Sequence, residues 1–222
     1  MSVNTSPDGP SPTTPGKRRR RSAAEAKQLV LATAAARLKA QGLEGLNLTG
    51  VADQAGISHA TIIHHFGSSE GMRKELIRFM TRELLGDVLV ALQRDDSPAT
   101  LCEELFAAIA DNGHAQLLAW TAVENRASFA DPILANQDLF RGVIERVAMR
   151  LYRHGQNNGP AAELPSASAK ELKQARMIVL LVATTALGLG IAGKPLTALL
   201  ELDADVEREF PSWLAEQIGL ER

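Results

Sequence analysis

A run of five cations precedes the first segment of the chain that can form a helix: Lys17, Arg18, Arg19, Arg20 and Arg21. Such a run can neutralise the phosphates of a nucleic acid, and basic arms placed before a helical domain reach into the minor groove of DNA. The alternative is a solvated tail that only aids solubility or non-specific binding. Because a helical DNA-binding pattern follows directly, we predict that these residues form a DNA-binding arm.

That pattern occupies residues 48–66, with the sequence LTGVADQAGISHATIIHHF. Val51, Ala52 and Ala55 are spaced to form the buried face of one short helix. Gly56 fits a turn, where a left-handed backbone is tolerated without steric cost, and Ser58 can cap a second helix. Two short helices joined by such a turn predict a helix-turn-helix.

The second of these helices is anchored by Ile62 and Phe66, which lie four residues apart. Its other face presents polar and small side chains near the amino-terminal half, where a recognition helix meets base edges. These side chains are His59, Ala60, Thr61 and His64.

The three histidines of this helix raise the question of a metal site. The spacings between His59, His64 and His65 are five and one, which do not place two ligands on one face as a spacing of four would. No carboxylate or cysteine joins them. We therefore predict no metal and no cofactor.

The net charge of −2 conceals a strong asymmetry along the chain. Residues 17–82 contain 12 Lys and Arg against 5 Asp and Glu, a formal charge of +7. The other residues contain 12 against 21, a formal charge of −9. A basic end joined to an acidic remainder is typical of a protein that binds a polyanion at one end.

The composition favours helices throughout the chain. Its 222 residues are 45% apolar but only 4% aromatic, with abundant Ala and Leu, and no run alternates as strands do. We predict an all-α fold with helices near 22–42, 48–55, 59–66, 70–93, 98–111, 114–127, 137–154, 169–191 and 203–218. Residues 1–16, rich in Ser, Thr and Pro, are predicted to be disordered, and 131–132 and 155–168 are predicted loops.

Within the first helix, three- and four-residue steps predict which side chains are buried. The residues at these steps are Leu29, Ala32, Ala36, Ala40 and Leu43.

Residues 27–76 resemble the amino-terminal domain of the TetR family of bacterial transcriptional regulators. The resemblance lies in an amphipathic helix, a Gly-containing turn and the pattern V-A-x-x-A-G-I-S-x-A-T-I-x-x-H-F. The remaining chain is similar only in outline, as an Ala- and Leu-rich body with F-x-x-W-L near its end. The resemblance implies an operator-binding homodimer that packs through its last two long helices, with an effector pocket in the helical body. The helix near 169–191 is apolar on more than one face, so it needs cover on several sides.

Two positions depart from the family pattern. Ile63 stands where the family usually has Tyr, and Ser69 where it usually has Lys; both usual residues touch the DNA backbone. We expect the basic arm and either Arg73 or Lys74 to replace these two contacts with the DNA backbone. Besides the arm, the predicted DNA-binding residues are Thr49, Ser58, His59, Ala60, Thr61, His64, His65, Ser69, Arg73 and Lys74.

The domain organisation follows from these features. We expect a tail with the basic arm at 1–21, a helix-turn-helix domain at 22–69, and an effector-binding and dimerisation domain at 70–222. A stripe on the last helix suits another helix, either in a second copy or in the same core. The stripe consists of Val206, Phe210, Trp213, Leu214 and Ile218.

The pocket is predicted from bulky or polar-tipped residues on helices expected to converge, although such residues also form plain core. The candidates are Trp120, Glu124, Asn125, Phe129, Met149 and Thr184. The mostly aliphatic helices indicate an apolar or amphipathic effector. By shifting the helix at 70–93, this effector would change the separation of two recognition helices, about 34–36 Å, and release a pseudo-palindromic operator.

Other classes of function remain as alternatives. The first is an NAD-linked enzyme, because residues 188–193 spell G-x-G-x-x-G. A dinucleotide site needs a preceding strand, however, and the small residues here can instead permit close helix packing or end the helix. Met177–Gly193 is an uncharged run near the lower limit for a membrane span. A third alternative is a DNA-binding regulator without an effector. No catalytic grouping stands out, and the single Cys102 excludes an internal disulfide, so we expect a non-enzymatic cytoplasmic protein.

Overall fold

The computed structural model describes residues 22–94, 97–110, 113–124, 130–155, 168–203 and 205–218, with the side chains of 98, 124 and 153–155 outside this description. These residues form helices, and no strand occurs among them, which confirms the predicted all-α fold. The helices are α1 Ala23–Gln41, α2 Leu48–Ala55, α3 His59–Phe66, α4 Ser69–Ala91, α5 Pro98–Ala110, α6 His114–Glu124, α7 Asp131–Leu134, α8 Gln137–Gly155, α9 Ala169–Leu199 and α10 Val206–Gln217. A 3₁₀ turn, Gly42–Leu46, joins α1 to α2.

Two elements differ from the sequence prediction. Asp131 and Pro132, predicted as a loop, begin the short helix α7, where proline is tolerated because the first helical N–H groups need no partner. Helix α9 does not end near residue 191 but continues through Pro195 to Leu199.

The buried face of α1 is also not the predicted one. Ala32, Ala36 and Ala40 are exposed and Leu29 is only half-buried. Because Ala and Leu occur on every side of this helix, apolar spacing alone could not select a face. The face that packs against α2, α3 and α4 consists of Ala26, Val30, Leu31, Thr33, Ala34 and Leu38.

One core holds α1, α2, α3 and the first half of α4 together. Val30, Ile62 and Leu76 are fully buried in it. Leu117 of α6 is buried in the same core. Helix α6 is therefore fixed to the amino-terminal helices as well as to the body.

The body is built around α9, which packs against α5, α6, α8 and α10. The segment that spells G-x-G-x-x-G lies inside this helix rather than after a strand, so the context of a dinucleotide site is missing here. A Cβ atom at Gly190 would lie 2.7 Å from the Cβ of Ala115 and 3.2 Å from the Cα of Ala110. The small residue therefore permits close packing of α9 on α5 and α6.

Candidate nucleic-acid interface and internal cavity

The turn between α2 and α3 is set by local hydrogen bonds. Gly56 has φ 65° and ψ 38°, a left-handed conformation in which its N–H donates to the end of α2. The Asn47 side-chain oxygen accepts from the N–H of Gly50 at 2.7 Å, and the Ser58 hydroxyl accepts from the N–H of Thr61 at 3.1 Å. Each short helix thus begins with a side-chain cap, as the sequence predicts for α3.

Helix α3 turns its apolar side into the core and its polar side outward. Ile62 is fully buried, whereas His59, Ala60 and His64 are exposed. The hydroxyl of Thr61 lies 2.8 Å from that of Ser58, and its side chain is half-buried. The exposed face therefore offers imidazole groups and a methyl group, which are able to contact base edges in a major groove.

Arg37 of α1 supports the start of α2. Its Nε donates to the carbonyl oxygen of Gly45 at 2.7 Å, and its Nη1 donates to Oε1 of Gln54 at 3.2 Å. A Cβ atom at Gly50 would lie 2.3 Å from Nη2 of Arg37, so the guanidinium packs directly on this glycine. These contacts make Arg37 a structural residue that holds the first turn of α2, where Thr49 is exposed.

The charge of this surface is unusual for a protein that binds a polyanion. Residues 42–69 contain Glu44 and Asp53 but no Lys or Arg. Lys74, predicted to compensate, forms a 3.2 Å ion pair with Glu70. The other predicted compensating residue, Arg73, is also engaged elsewhere.

Arg73 joins the start of α4 to α6. Its Nη1 donates to the Ser69 hydroxyl at 3.2 Å, and its guanidinium lies 4.3 Å from the centre of the Trp120 ring. The sequence placed Arg73 on DNA and Trp120 in the effector pocket, but the structure brings the two side chains together. This contact links the predicted DNA-facing end to the body.

Lys27 is a basic residue that the sequence pattern did not single out. It is exposed on α1, and its Nζ lies 5.5 Å from the centre of the Phe66 ring at the end of α3. The two residues are 39 positions apart, so no local pattern could have revealed this proximity. Lys27 thus brings a cation to the end of α3 opposite its Ser58 cap.

Several predicted site residues lie outside the described residues. These are the arm, Lys17–Arg21, and two pocket candidates, Asn125 and Phe129. Glu124 ends α6, but its side chain is also outside the description.

A cavity of about 260 Å³ lies inside the body, between α4, α5, α6, α7, α8 and α9. Its wall is almost wholly aliphatic. The aliphatic residues that line it include Leu85, Val88, Leu105, Val143, Val147 and Val182.

Four side chains bring polar or ionisable groups to this wall: Thr81, Cys102, His114 and Arg150. Burial raises the pKa of the Cys102 thiol to about 11, and the Glu103 carboxylate adds to this shift. Burial also lowers the pKa of His114, which the carbonyls of Met80 and Ala108 partly oppose. Both ring nitrogens of His114 are buried. At neutral pH both groups are therefore uncharged.

The three described pocket candidates do not line this cavity. Trp120 packs on Arg73, and Thr184 is exposed, with its hydroxyl bonded to the carbonyl of Leu180 at 2.7 Å. Met149 is half-buried on another side of α8. These positions were predicted from residue type alone. Whether a residue lines the cavity depends instead on the side of its helix on which it lies.

The stripe predicted for dimerisation packs largely within its own chain. Leu214 is only 8% exposed, and Phe210 and Ile218 pack with it against α5, while Val206 is half-buried. Trp213 is the exception, at 52% exposed.

Helix α9 instead carries the open apolar face. Met177, Leu180, Leu181 and Ile191 are 41–61% exposed, and Thr184 and Gly188 lie exposed between them. We call these six residues the α9 stripe. The helix is long and apolar enough for a membrane span, with a mean hydropathy of 1.9 in an 18-residue window of which 17% is buried.

Comparisons with known proteins match the amino-terminal region most specifically. Residues 30–76 match the family model of bacterial regulatory proteins, tetR family. A stretch of 78 residues is 36% identical to the HTH-type transcriptional regulatory protein RaaS of Mycobacterium tuberculosis, and covers 32% of this chain and 37% of that protein. The chain thus spans little more than a third of the length of this curated relative.

Solved structures match over most of the chain. The reduced form of NemR from E. coli gives a TM-score of 0.57 at 14% identity, covering 86% of this chain and 95% of that one. A TetR transcriptional regulator from Legionella pneumophila gives a TM-score of 0.54 at 18% identity, covering 90% and 98%. At these identities the likeness concerns the fold, including the helical body.

Proposed function

We propose that this chain, whose residues 30–76 match the tetR family model of bacterial regulatory proteins, is a ligand-responsive repressor of transcription. It binds a pseudo-palindromic operator as a homodimer in the cytoplasm, and a small apolar or amphipathic effector releases it. In this proposal residues 22–69 bind DNA, and residues 70–222 dimerise and bind the effector.

The observation that carries the proposal is the outward face of α3. A short helix capped by Ser58 exposes His59, Ala60 and His64 while Ile62 is buried. This is the geometry in which a recognition helix lies in the major groove. The polar tips contact base edges, and the capped amino terminus offers its N–H groups to a phosphate.

The α9 stripe supports the homodimer. A contiguous exposed apolar face marks an interaction surface, and a two-fold contact pairs the same face on both copies. The hydroxyls of Thr184 and Thr185 bond to carbonyls of their own helix at 2.7 Å, so they need no polar partner across the interface. The small Gly188 allows two helices to approach closely.

A second copy covers this stripe better than a membrane does. Only one side of α9 is open, because α5, α6, α8 and α10 pack against the others. Those neighbours expose charged side chains, including Glu104, Arg146 and Glu216. Lipid around α9 would bury these charges at high cost.

The cavity supports an effector, and two helices connect it to the amino-terminal core. Helix α4 lines the cavity from Thr81 onward and enters the core with Leu76. Helix α6 lines the cavity with His114 and Leu118 and enters the core with Leu117. A ligand that prefers one arrangement of α4 and α6 therefore changes the position of α3, and an equal preference would change nothing.

The experiment that tests DNA binding is sequencing of the genomic fragments that the immobilised full chain retains. The expected result is a shared inverted repeat whose half-sites lie one helical turn apart, and neighbouring genes then suggest the effector. Retention without a shared motif would overturn the proposal. A monomer in sedimentation at micromolar concentration, with and without DNA, would overturn the homodimer.

A regulator without an effector is the second candidate. It is favoured if no apolar compound that occupies the cavity changes the affinity for the retained DNA. The aliphatic cavity argues against it, since well-packed interiors leave few voids larger than a water molecule.

A further inference from the structure

Two of the helices that line the cavity, α4 and α8, run side by side. The side-chain amide of Asn136, just before α8, donates to the carbonyl of Arg78 of α4 at 3.2 Å. Further along, a Cβ atom at Gly142 would lie 3.6 Å from the side chain of Leu89. Both helices therefore run in the same direction beside the cavity.

The wall of the cavity follows α4 for about three turns. Its wall on α4 extends from Thr81 to Leu92, about 16 Å at 1.5 Å per residue. Its volume of about 260 Å³ lies just below the usual range of ligand pockets, about 300–1,000 Å³. An aliphatic wall of this length can hold a hydrocarbon chain laid along α4 and α8.

The two ends of the cavity differ in charge. His114 and Thr81 lie at the end near α1–α3, where the lowered pKa of His114 leaves its ring neutral. Arg150 lies near the other end, because α8 runs alongside α4 toward Leu92.

Among the described residues that line the cavity, Arg150 is the one with a charged side chain. The Arg150 residue is half-buried, and no hydrogen bond or ion pair to another described residue engages its guanidinium. A guanidinium beside an aliphatic wall gains most from an anion that presents oxygen atoms to its fork of donors.

From these observations we propose that the cavity binds a single-chain amphiphile with an anionic head group. The head group pairs with the Arg150 guanidinium, and the hydrocarbon chain extends between α4 and α8 toward His114. The inference rests on the proposed function and deepens it by naming the chemical class of the effector. The tail of such a ligand ends beside Thr81 and Leu118, on the two helices that enter the amino-terminal core.

The test compares three ten-carbon probes that differ only in the head group: decanoate, 1-decanol and decylammonium. Each is titrated calorimetrically, below its aggregation concentration, into the full chain. A charge-assisted hydrogen bond contributes about 1.5–3 kcal/mol, so decanoate should bind about 10- to 100-fold more tightly than decanol. Decylammonium should bind most weakly of the three.

Two substitutions locate the head group. Arg150→Gln should reduce decanoate binding to the level of decanol and leave decanol binding unchanged. Arg146→Gln, on an exposed residue one turn earlier that does not line the cavity, should change neither. Equal binding of decanoate and decanol by the unmodified chain, or a decanoate preference that survives Arg150→Gln, would overturn the proposal.

The DNA-binding assay separates this inference from the effector proposal. Decanoate that binds through Arg150 without changing the affinity for DNA supports the ligand class and counts against the effector role. A different compound that releases DNA, together with no decanoate binding, supports the effector role and overturns the ligand class.

Discussion

Helix α3 and helix α9 each expose one face, and the two faces are opposite in character. The α3 face is polar and short, with His59 and His64 outward and no Lys or Arg within residues 42–69. The α9 stripe is apolar and long, and it extends from Met177 to Ile191. The first face suits DNA but lacks the cations that give affinity, whereas the second suits another copy of the chain.

From this contrast we infer that the exposed face of α3 and the α9 stripe are both needed for operator binding. A recognition helix without phosphate contacts binds weakly as a single unit, since cations supply most of the non-specific affinity for DNA. Two such helices held rigidly by α9 gain effective concentration, because the second half-site binds intramolecularly. Affinity should therefore depend most on the α9 stripe, then on the arm, and least on any single side chain near α3.

The largest effect is expected from breaking the α9 stripe. The double substitution Leu180→Glu and Ile191→Glu places charges in a buried interface, which costs several kcal/mol. It should yield monomers in sedimentation and lower operator affinity by more than about 100-fold. Val123→Glu, at a residue 79% exposed on α6, serves as the control and should change neither. A double variant that remains a dimer would show that the stripe is not the interface.

Deletion of residues 1–21 should have the next largest effect. Removing one cation that binds a phosphate makes the slope of log affinity against log salt shallower by about 0.9. Removal of all five should therefore weaken binding about 10- to 100-fold and flatten this slope markedly. Deletion of residues 1–16 leaves the cations in place and should have no effect. If the two deletions behave alike, the arm does not contact DNA.

Substitution on α3 tests base contact directly. His64→Ala, alone or with Thr61→Ala, should cost about 1–3 kcal/mol on the preferred sequence, an affinity loss of about 5- to 150-fold, and relax discrimination at one position. Affinities for the operator and for single-base variants provide the measurement. Gln28→Ala, at an exposed residue of α1, is the matched control. Uniform weakening on all sequences would instead identify these residues as backbone contacts.

The smallest effect is expected for Lys27→Ala. Because Lys27 is held near Phe66, this substitution should remove one phosphate contact per subunit, and binding should fall only a few-fold. The salt slope should become shallower by about 0.9 per subunit. Lys39→Ala, at the other end of α1, should leave the slope unchanged. Equal slopes for both variants would exclude Lys27 from the DNA contact.

Local signals predicted the amino-terminal fold closely. The bounds of α2 and α3, the Gly56 turn and the Ser58 cap all follow from residue types within four positions of one another. The predicted face of α1 was wrong, because its Ala and Leu residues occur on every side and mark no single face. The predicted end of α9 was also wrong: a proline near a helix terminus favours a break, but the helix continues through Pro195 to Leu199, although Leu196 and Leu199 are exposed.

For the helical body, the sequence predicted the all-α fold class but not how its helices pack. The apolar faces of the helix near 169–191 and the stripe on α10 indicated that each helix needed cover, but Leu214 is covered by α5 while Leu180 is open. Bulky residues such as Trp120 suggested a pocket, yet the cavity is lined by ordinary Leu and Val residues. The Arg73–Trp120 contact joins residues 47 positions apart and left no signal in the sequence.

By itself the sequence determined the helical class, the helix-turn-helix with its caps, and the division of charge along the chain. These depend on hydrogen bonds between near neighbours and on residue counts, which no packing arrangement changes. Only the tertiary structure decided which apolar stripe stays open, which residues enclose the cavity, and where Arg150 and Lys27 lie. The physical reason is that burial of apolar surface has no direction, so many arrangements satisfy one sequence pattern until the helices pack.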